Sequence, residues 1–190
     1  ACGVKPIRCH RTKIVPEAIG VVLEIGFGSG LNLPFYDGDK VQRLIGIDTS
    51  EGMQRLARKR IEETDFEVKY INADAEDIPI ETGAVDTVVC TYTLCTVPEP
   101  GEALKEMNRI LKVGGKLLFC EHGEAPDMKV KRFQRRMEPL WKIVAGGCHL
   151  TRNIEKLIEA NGFQIGSLDR MYLPSTPRFV GFNIWGWAKS

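Results

Sequence analysis

The chain of 190 residues has no apolar run long enough to cross a bilayer. It also has no charged-then-apolar leader of the secretory kind. Its net charge is only +1, so it lacks the basic surplus that attracts nucleic acid, and no nucleic-acid partner is expected. The six cysteines (Cys2, Cys9, Cys90, Cys95, Cys120 and Cys148) include no C-x-x-C pair. That argues against a zinc ribbon or a dithiol redox motif and fits a reduced, cytoplasmic protein. Cys2, Cys9 and His10 lie close together, but no second ligand pair at zinc spacing follows, so no metal is expected. Cys90 and Cys120 fall inside apolar runs and should be buried as small hydrophobes. Two phosphate-binding signatures are also missing. No glycine is followed by Lys and Ser/Thr, which excludes a P-loop, and Leu31 stands where the G-x-G-x-x-G dinucleotide fingerprint needs its last glycine.

What is present is a buried apolar run, residues 21–25, ending in three alternating glycines, Gly26, Gly28 and Gly30. A short apolar run bounded by turn residues reads as a strand covered on both faces. The glycines permit a tight turn and the close approach of a ligand to the backbone. A helix is expected from about Leu31, with its free N–H groups facing the same space. Glu24, at the strand end, would repel a pyrophosphate but suits a cationic ligand such as the ammonium of S-adenosylmethionine (SAM). A second strand-like run, residues 41–47, ends in Asp48. That is about 20 residues past the glycines, where a carboxylate can take two ribose hydroxyls. Asp48, Thr49 or Ser50 can equally cap a helix over 51–61.

The runs LEIGFGSG, GIDTSEGM, NADAEDIPIETGAVDTVV and EMNRILKVGGKLLF, in that order from Val21 to His122, resemble the class I SAM-dependent methyltransferases of the ubiquinone and menaquinone biosynthesis type. Residues 92–97, 121–122 and 147–152 and the aromatic C-terminus resemble a narrower group, the methyltransferase-like proteins that alkylate small thiols at membranes, with their bacterial relatives. The resemblance implies a Rossmann-like α/β fold: a seven-stranded, mostly parallel sheet with a C-terminal antiparallel hairpin and helices on both faces. It implies SAM as cofactor and S-adenosylhomocysteine as product. It also implies a cofactor set of Glu24, Gly26, Gly28, Gly30, Asn32, Asp48, Thr49, Met53, Asp74, Ala75, Thr91 and Leu94. In that set Asp74 would accept from the adenine amino group and the Ala75 N–H would donate to the ring.

The rest of the chain fits one domain, 1–190, with 1–20 as a helical segment over the cofactor site and 124–161 as lid and substrate helices. The start on Ala-Cys-Gly reads as a sequence from which a leader or earlier helix is missing, with an N-terminal membrane anchor of the complete protein left open. A brief helix is expected over 31–36. The helix over 51–61 should bury Met53, Leu56, Ala57 and Ile61, and 66–71 should be an edge-like strand. A helix from Pro98 and Pro100 through Lys112 should stop at Gly114-Gly115, before a strand over 116–120. A further helix is expected over 152–160. Two strands, 163–173 and 179–188, joined by a loop at 174–177, must pair antiparallel.

Tyr36, Tyr92, Cys95, Phe133, Trp141 and His149 are candidate acceptor-pocket residues. His122, just past a strand end, is the first candidate base, ahead of Glu121 and His149, and a structural hydrogen bond is an equal alternative for each. Cys95 is not expected to act as a nucleophile, since methyl transfer needs none. The helix over 127–144 carries Phe133, Met137, Leu140, Trp141 and Val144 on one face and Lys and Arg elsewhere. It reads either as a core-packing lid or as a contact with an anionic membrane surface. The acceptor expected is a small, rather apolar molecule, first a thiol, with a quinone precursor or lipid amine as the alternative. A SAM-binding module without catalysis is the alternative from another class.

Overall fold

The computed structural model describes residues 5–190. Seven strands form one sheet: β1 (Gly20–Ile25), β2 (Val41–Ile47), β3 (Glu67–Ile71), β4 (Val85–Thr91), β5 (Leu111–His122), β6 (Gln164–Tyr172) and β7 (Phe182–Lys189). Their spatial order is β3-β2-β1-β4-β5-β7-β6. Pairs from β3 to β5 are parallel, and β7 runs antiparallel to both β5 and β6. The expected fold class is therefore the observed one. Both faces are covered, and each strand divides its residues between them at period two. Leu23 and Ile25 face one cluster with Val88, Leu117 and Phe119, under α3 (Pro100–Ile110) and α5 (Ile154–Ala160). Val22 faces the other with Leu44, Val89 and Leu118, under α1 (Lys5–Ile14) and α2 (Glu51–Glu62).

Several boundaries differ from expectation for identifiable reasons. α3 ends at Ile110, before Lys112, because the Gly83 and Ala84 N–H groups take the carbonyls of Arg109 and Ile110. Leu111 then turns extended and pairs with Val85, so Gly114 and Gly115 lie inside a long β5. No α-helix follows the glycine turn. A single 3-10 turn, Leu33–Phe35, stands there, with Pro34 in its first turn and Leu33 buried. On α2 only Ala57 is fully buried, while Met53 and Leu56 are 43% and 62% exposed, so the expected four-residue stripe is not a core face. α5 starts at Ile154, capped by the Asn153 side chain. Phe179 belongs to the short helix α6 (Arg178–Gly181) that precedes β7.

The largest departure is α4 (Met128–Val144). Its expected apolar face is mostly in solvent: Phe133, Leu140 and Val144 are 46%, 57% and 69% exposed. The residue it buries is Gln134, whose amide accepts from the Ala125 N–H and donates to the carbonyls of Gly123 and Phe179. A polar pin docks this helix, and the reading of it as a core-packed lid is overturned. No helix among the described residues is long and apolar enough to cross a membrane.

Candidate active site

At the carboxyl ends of β1, β2 and β4 lies an open cavity of about 570 Å³. Gly26 and Gly28 form its floor with positive φ of 67° and 55°. A Cβ on Gly26 would stand 2.2 Å from Thr93 Oγ1, so only glycine fits there. Asp48 lines the wall, its Oδ2 accepting from the Gly28 N–H (2.8 Å) and its Oδ1 from the Ser50 N–H (2.9 Å). Each oxygen keeps a lone pair for a ligand hydroxyl. The cap of α2 is Ser50, which accepts from the Met53 N–H, so capping does not compete for Asp48. Thr49, Met53, Asp74, Ala75 and Tyr92 also line the cavity. The turn at 74–77 is closed by the Asp74 carbonyl, not by an Asx side chain, and the carboxylate stays exposed at the wall.

Other expected residues sit elsewhere. Glu24 points from β1 into the face covered by α1 and is 2% exposed. It accepts from the Asn32 amide (2.9 Å) and the Tyr36 hydroxyl (2.7 Å). Burial pushes its carboxyl up to about 7, against the opposing effects of Tyr36, the Arg11 charge and Asn32. The cation that Glu24 faces is therefore Arg11, which donates to Asn32 Oδ1 and, at 3.0 Å, to Thr91 Oγ1. Glu24, Asn32, Thr91 and Tyr36 form this closed network and do not border the cavity. Gly30 is outside it too, turned against Leu33 and Phe27.

The loop 93–98, which supplies Thr93, Thr96, Val97 and Pro98 to the cavity, is held from two sides. Glu121, fully buried, accepts from the N–H groups of Thr93 (2.7 Å), Leu94 (3.1 Å) and Cys95 (3.3 Å). Burial pushes its carboxyl up to about 7, and these N–H groups oppose the rise. Arg152 donates to the carbonyls of Leu94 (2.5 Å) and Val97 (2.7 Å). Glu121 thus shapes the loop and does not border the cavity. Leu94, fully buried, is likewise no cofactor contact in this geometry. Tyr92 enters the loop with φ 54°, a conformation costing a side chain roughly 1–3 kcal/mol. Its N–H bond to the Cys120 carbonyl (2.8 Å) and its hydroxyl bond to Asn183 Oδ1 (2.9 Å) hold it there.

Neither remaining base candidate reaches the cavity. His149 Nδ1 lies 3.0 Å from Glu138 Oε1, and its N–H donates to the Cys95 carbonyl (2.7 Å). His122 Nε2 lies 2.6 Å from the Cys148 sulfur. Cys95 joins them, so two cysteines and a histidine distant in sequence meet at one point. A hydrogen bond from the Cys95 thiol, and the His122 side chain, pull the Cys148 thiol down. The same bond and burial push Cys95 up. Phe133 and Trp141 pack edge-on against Phe179, at ring-centre distances of 5.2 and 6.1 Å. They do not wall the cavity, and Gly146, just past α4, is what borders it from that side. Nothing in the spacing marked Glu121 and Arg152 as anchors of the loop; only the E-H and L-T-R runs drew the eye to them.

A glycine cradle, a carboxylate at the end of β2 and an acid–alanine turn after β3 surround a volume fit for a nucleoside-sized ligand. With this sheet order, they define a SAM-dependent methyltransferase of the Rossmann-like class. Comparison with known proteins agrees. Residues 23–119 match the methyltransferase domain family, and the chain belongs to that family. It is 35% identical over 171 residues to the rat thiol S-methyltransferase TMT1B, covering 84% of this chain and 68% of that protein. It is 28% identical to a demethylmenaquinone methyltransferase of Clavibacter sepedonicus, over 77% of this chain and 61% of that one. Among solved structures, a SAM-dependent methyltransferase from Mesorhizobium loti superposes with a TM-score of 0.74 over 100% of both chains, at 16% identity.

Proposed function

We propose that this methyltransferase acts on the sulfur of small, rather apolar thiols. The observation that carries the reading is the composition of the wall formed by Tyr92, Thr93, Thr96 and Val97. None of these four carries an imidazole or a carboxylate; the acids that line the cavity, Asp48, Asp74 and Glu76, follow β2 and β3, and His122, Glu121 and His149 are engaged elsewhere. A thiol ionises unaided near pH 8–9, on the order of its free pKa, whereas an amine or phenol gains more from a base. The likeness to the rat thiol S-methyltransferase supports the same choice.

On this reading Asp48 holds the ribose hydroxyls, Asp74 and the Ala75 N–H hold the adenine edge, and the Gly26–Gly28 turn lets the cofactor approach the backbone. Bound SAM supplies a methyl group on a sulfonium. The chain supplies alignment and a site from which water is displaced. Exposed Leu140, Ile143 and Val144, together with the Lys and Arg of α4, support a peripheral contact with an anionic bilayer.

The test is S-adenosylhomocysteine formation with a panel of small thiols, amines, phenols and a quinone precursor. The thiols should turn over, each S-adenosylhomocysteine formed being matched by one methyl thioether. Turnover confined to amines or the quinone precursor would refute the proposal.

A further inference from the structure

Cys95 stands on the loop after β4, His122 at the end of β5 and Cys148 on the loop after α4. Their ligand atoms all lie within 4.8 Å of one another. Both cysteines are buried, and His122 is half-buried. Packing alone would be served by any apolar side chain at each place, yet three soft donors converge. The positions are also firmly held. The backbone around Cys95 is fixed by Glu121, by Arg152 and by the His149 N–H.

We propose that Cys95, His122 and Cys148 bind one thiophilic divalent cation of the zinc class, and that its remaining position takes the sulfur of the acceptor. Zinc–sulfur bonds of about 2.3 Å and zinc–nitrogen bonds of about 2.0–2.1 Å place tetrahedral donors about 3.5–3.8 Å apart. The present separations, from 2.6 Å to no more than 4.8 Å, bracket that spacing. His122 Nε2 moves off the Cys148 sulfur and the wider pairs close in. His122 Nδ1 has no partner among the described residues, so Nε2 is the nitrogen committed to the cluster. The buried Trp141 indole N–H has no hydrogen-bond partner among the described residues and lies beside Cys148. A metal-bound sulfur would give that donor its acceptor. Two cysteines and one histidine with a vacant fourth position are a ligand set of catalytic zinc sites, whereas structural sites use all four positions. The cluster lies next to the methyl-transfer cavity through its chain neighbours. Thr96, next to Cys95, and Gly146, two residues before Cys148, both line it.

The consequence for chemistry follows from charge. An acceptor thiol that ligates the cation releases its proton to solvent and stays a thiolate below its own pKa. Its lone pair forms the new carbon–sulfur bond. The bond from the methyl carbon to the sulfonium sulfur breaks, and its electron pair stays on that sulfur as the neutral thioether product. The methylated acceptor is itself a neutral thioether, a weaker ligand, and leaves. This last part rests on the thiol reading of the acceptor, whereas cation binding does not.

The experiment is titration of the reduced, chelator-treated full chain with cobalt(II), followed by absorption, with zinc competition and metal analysis after gel filtration. One equivalent should bind, with a cobalt–thiolate charge-transfer band that zinc abolishes and a raised melting temperature. Cys148→Ser and Cys95→Ser should each weaken binding by more than the roughly 10–100-fold lost when an outer-shell partner of a ligand is removed. Their melting curves without metal report whether they still fold. If the reduced wild-type chain binds no cobalt or zinc, or if Cys95 and Cys148 merely form a disulfide, the site is refuted, whatever the variants do. Addition of a small thiol should shift the charge-transfer band and displace nothing. If cobalt binds and the thiol leaves the band unchanged, the acceptor half is overturned. Thiol methylation at equal rate in metal-free protein overturns that half too while the thiol reading stands. Cobalt binding without methylation of any thiol overturns the thiol reading and leaves the cation site intact.

Discussion

Replacing Glu121 by Gln separates a loop-holding carboxylate from a catalytic one. The amide keeps an oxygen for the Thr93 and Leu94 N–H groups. It turns an NH₂ toward the Cys95 N–H, which in the wild type donates to Oε2 at 3.3 Å. Leaving that buried N–H without an acceptor costs about 1–3 kcal/mol. A second effect runs the other way. Because burial holds the Glu121 carboxyl at about 7, against an ordinary 4.5, the folded state favours the protonated form. That contribution to stability is complete below pH 4.5 and is lost as pH rises through about 7, amounting to about 3 kcal/mol. Gln cannot titrate. The variant should therefore be less stable than wild type by about 1–3 kcal/mol at about pH 5, and the deficit should close by about 3 kcal/mol by about pH 8. Glu24, pushed up in the same way, titrates in both proteins and cancels in the comparison. Chemical denaturation at the two pH values measures the difference, and single-turnover kinetics measures the rate. SAM affinity should weaken modestly and the methylation rate should fall less than about tenfold. A constant stability difference together with a rate loss of roughly 10²–10⁴, the scale of a lost general base, would refute the reasoning.

Gly26→Ala should cripple cofactor binding, because its Cβ meets Thr93 Oγ1 at 2.2 Å on a backbone with φ of 67°. Unchanged SAM affinity by equilibrium dialysis would show that the turn is looser than described. Glu121→Ala removes the acceptor of three N–H groups at once, and a loss of roughly 3–6 kcal/mol is expected in a denaturant titration. His149→Ala should leave the pH profile of thiol methylation unmoved, since His149 is paired with Glu138 away from the cavity; a lost ionisation in that profile would place it in the chemistry.

The parts legible in the sequence are those written in contiguous residues. The run Val21 to Gly30 carries its own strand and turn. Asp48 follows β2 directly and was legible from its place after the glycines, whereas Asp74 and Ala75, a few residues past β3, were legible through the family resemblance. The C-terminal hairpin followed from a loop too short for a crossover. What stayed hidden depends on side chains from distant segments. Arg11 reaches Thr91 and closes the network around Glu24, so an acid that reads as a ligand group is buried against a protein cation. α4 has a helical stripe, but the fold seats it by Gln134 and leaves the stripe in solvent, an outcome that periodicity does not encode. Cys95, His122 and Cys148 are brought together by two loops and the end of β5, with no motif spacing to mark them.

The central claim is that the cavity between the ends of β1, β2 and β4 takes SAM through Asp48. Isothermal calorimetry of the reduced chain with SAM, S-adenosylhomocysteine and NAD, on wild type and Asp48→Ala, tests it most directly. SAM and S-adenosylhomocysteine should bind one per chain, and NAD should not bind. The variant should lose about 1.5–3 kcal/mol, the worth of hydrogen bonds to a charged group. Binding of NAD without SAM, or SAM binding that Asp48→Ala leaves untouched, would contradict the account.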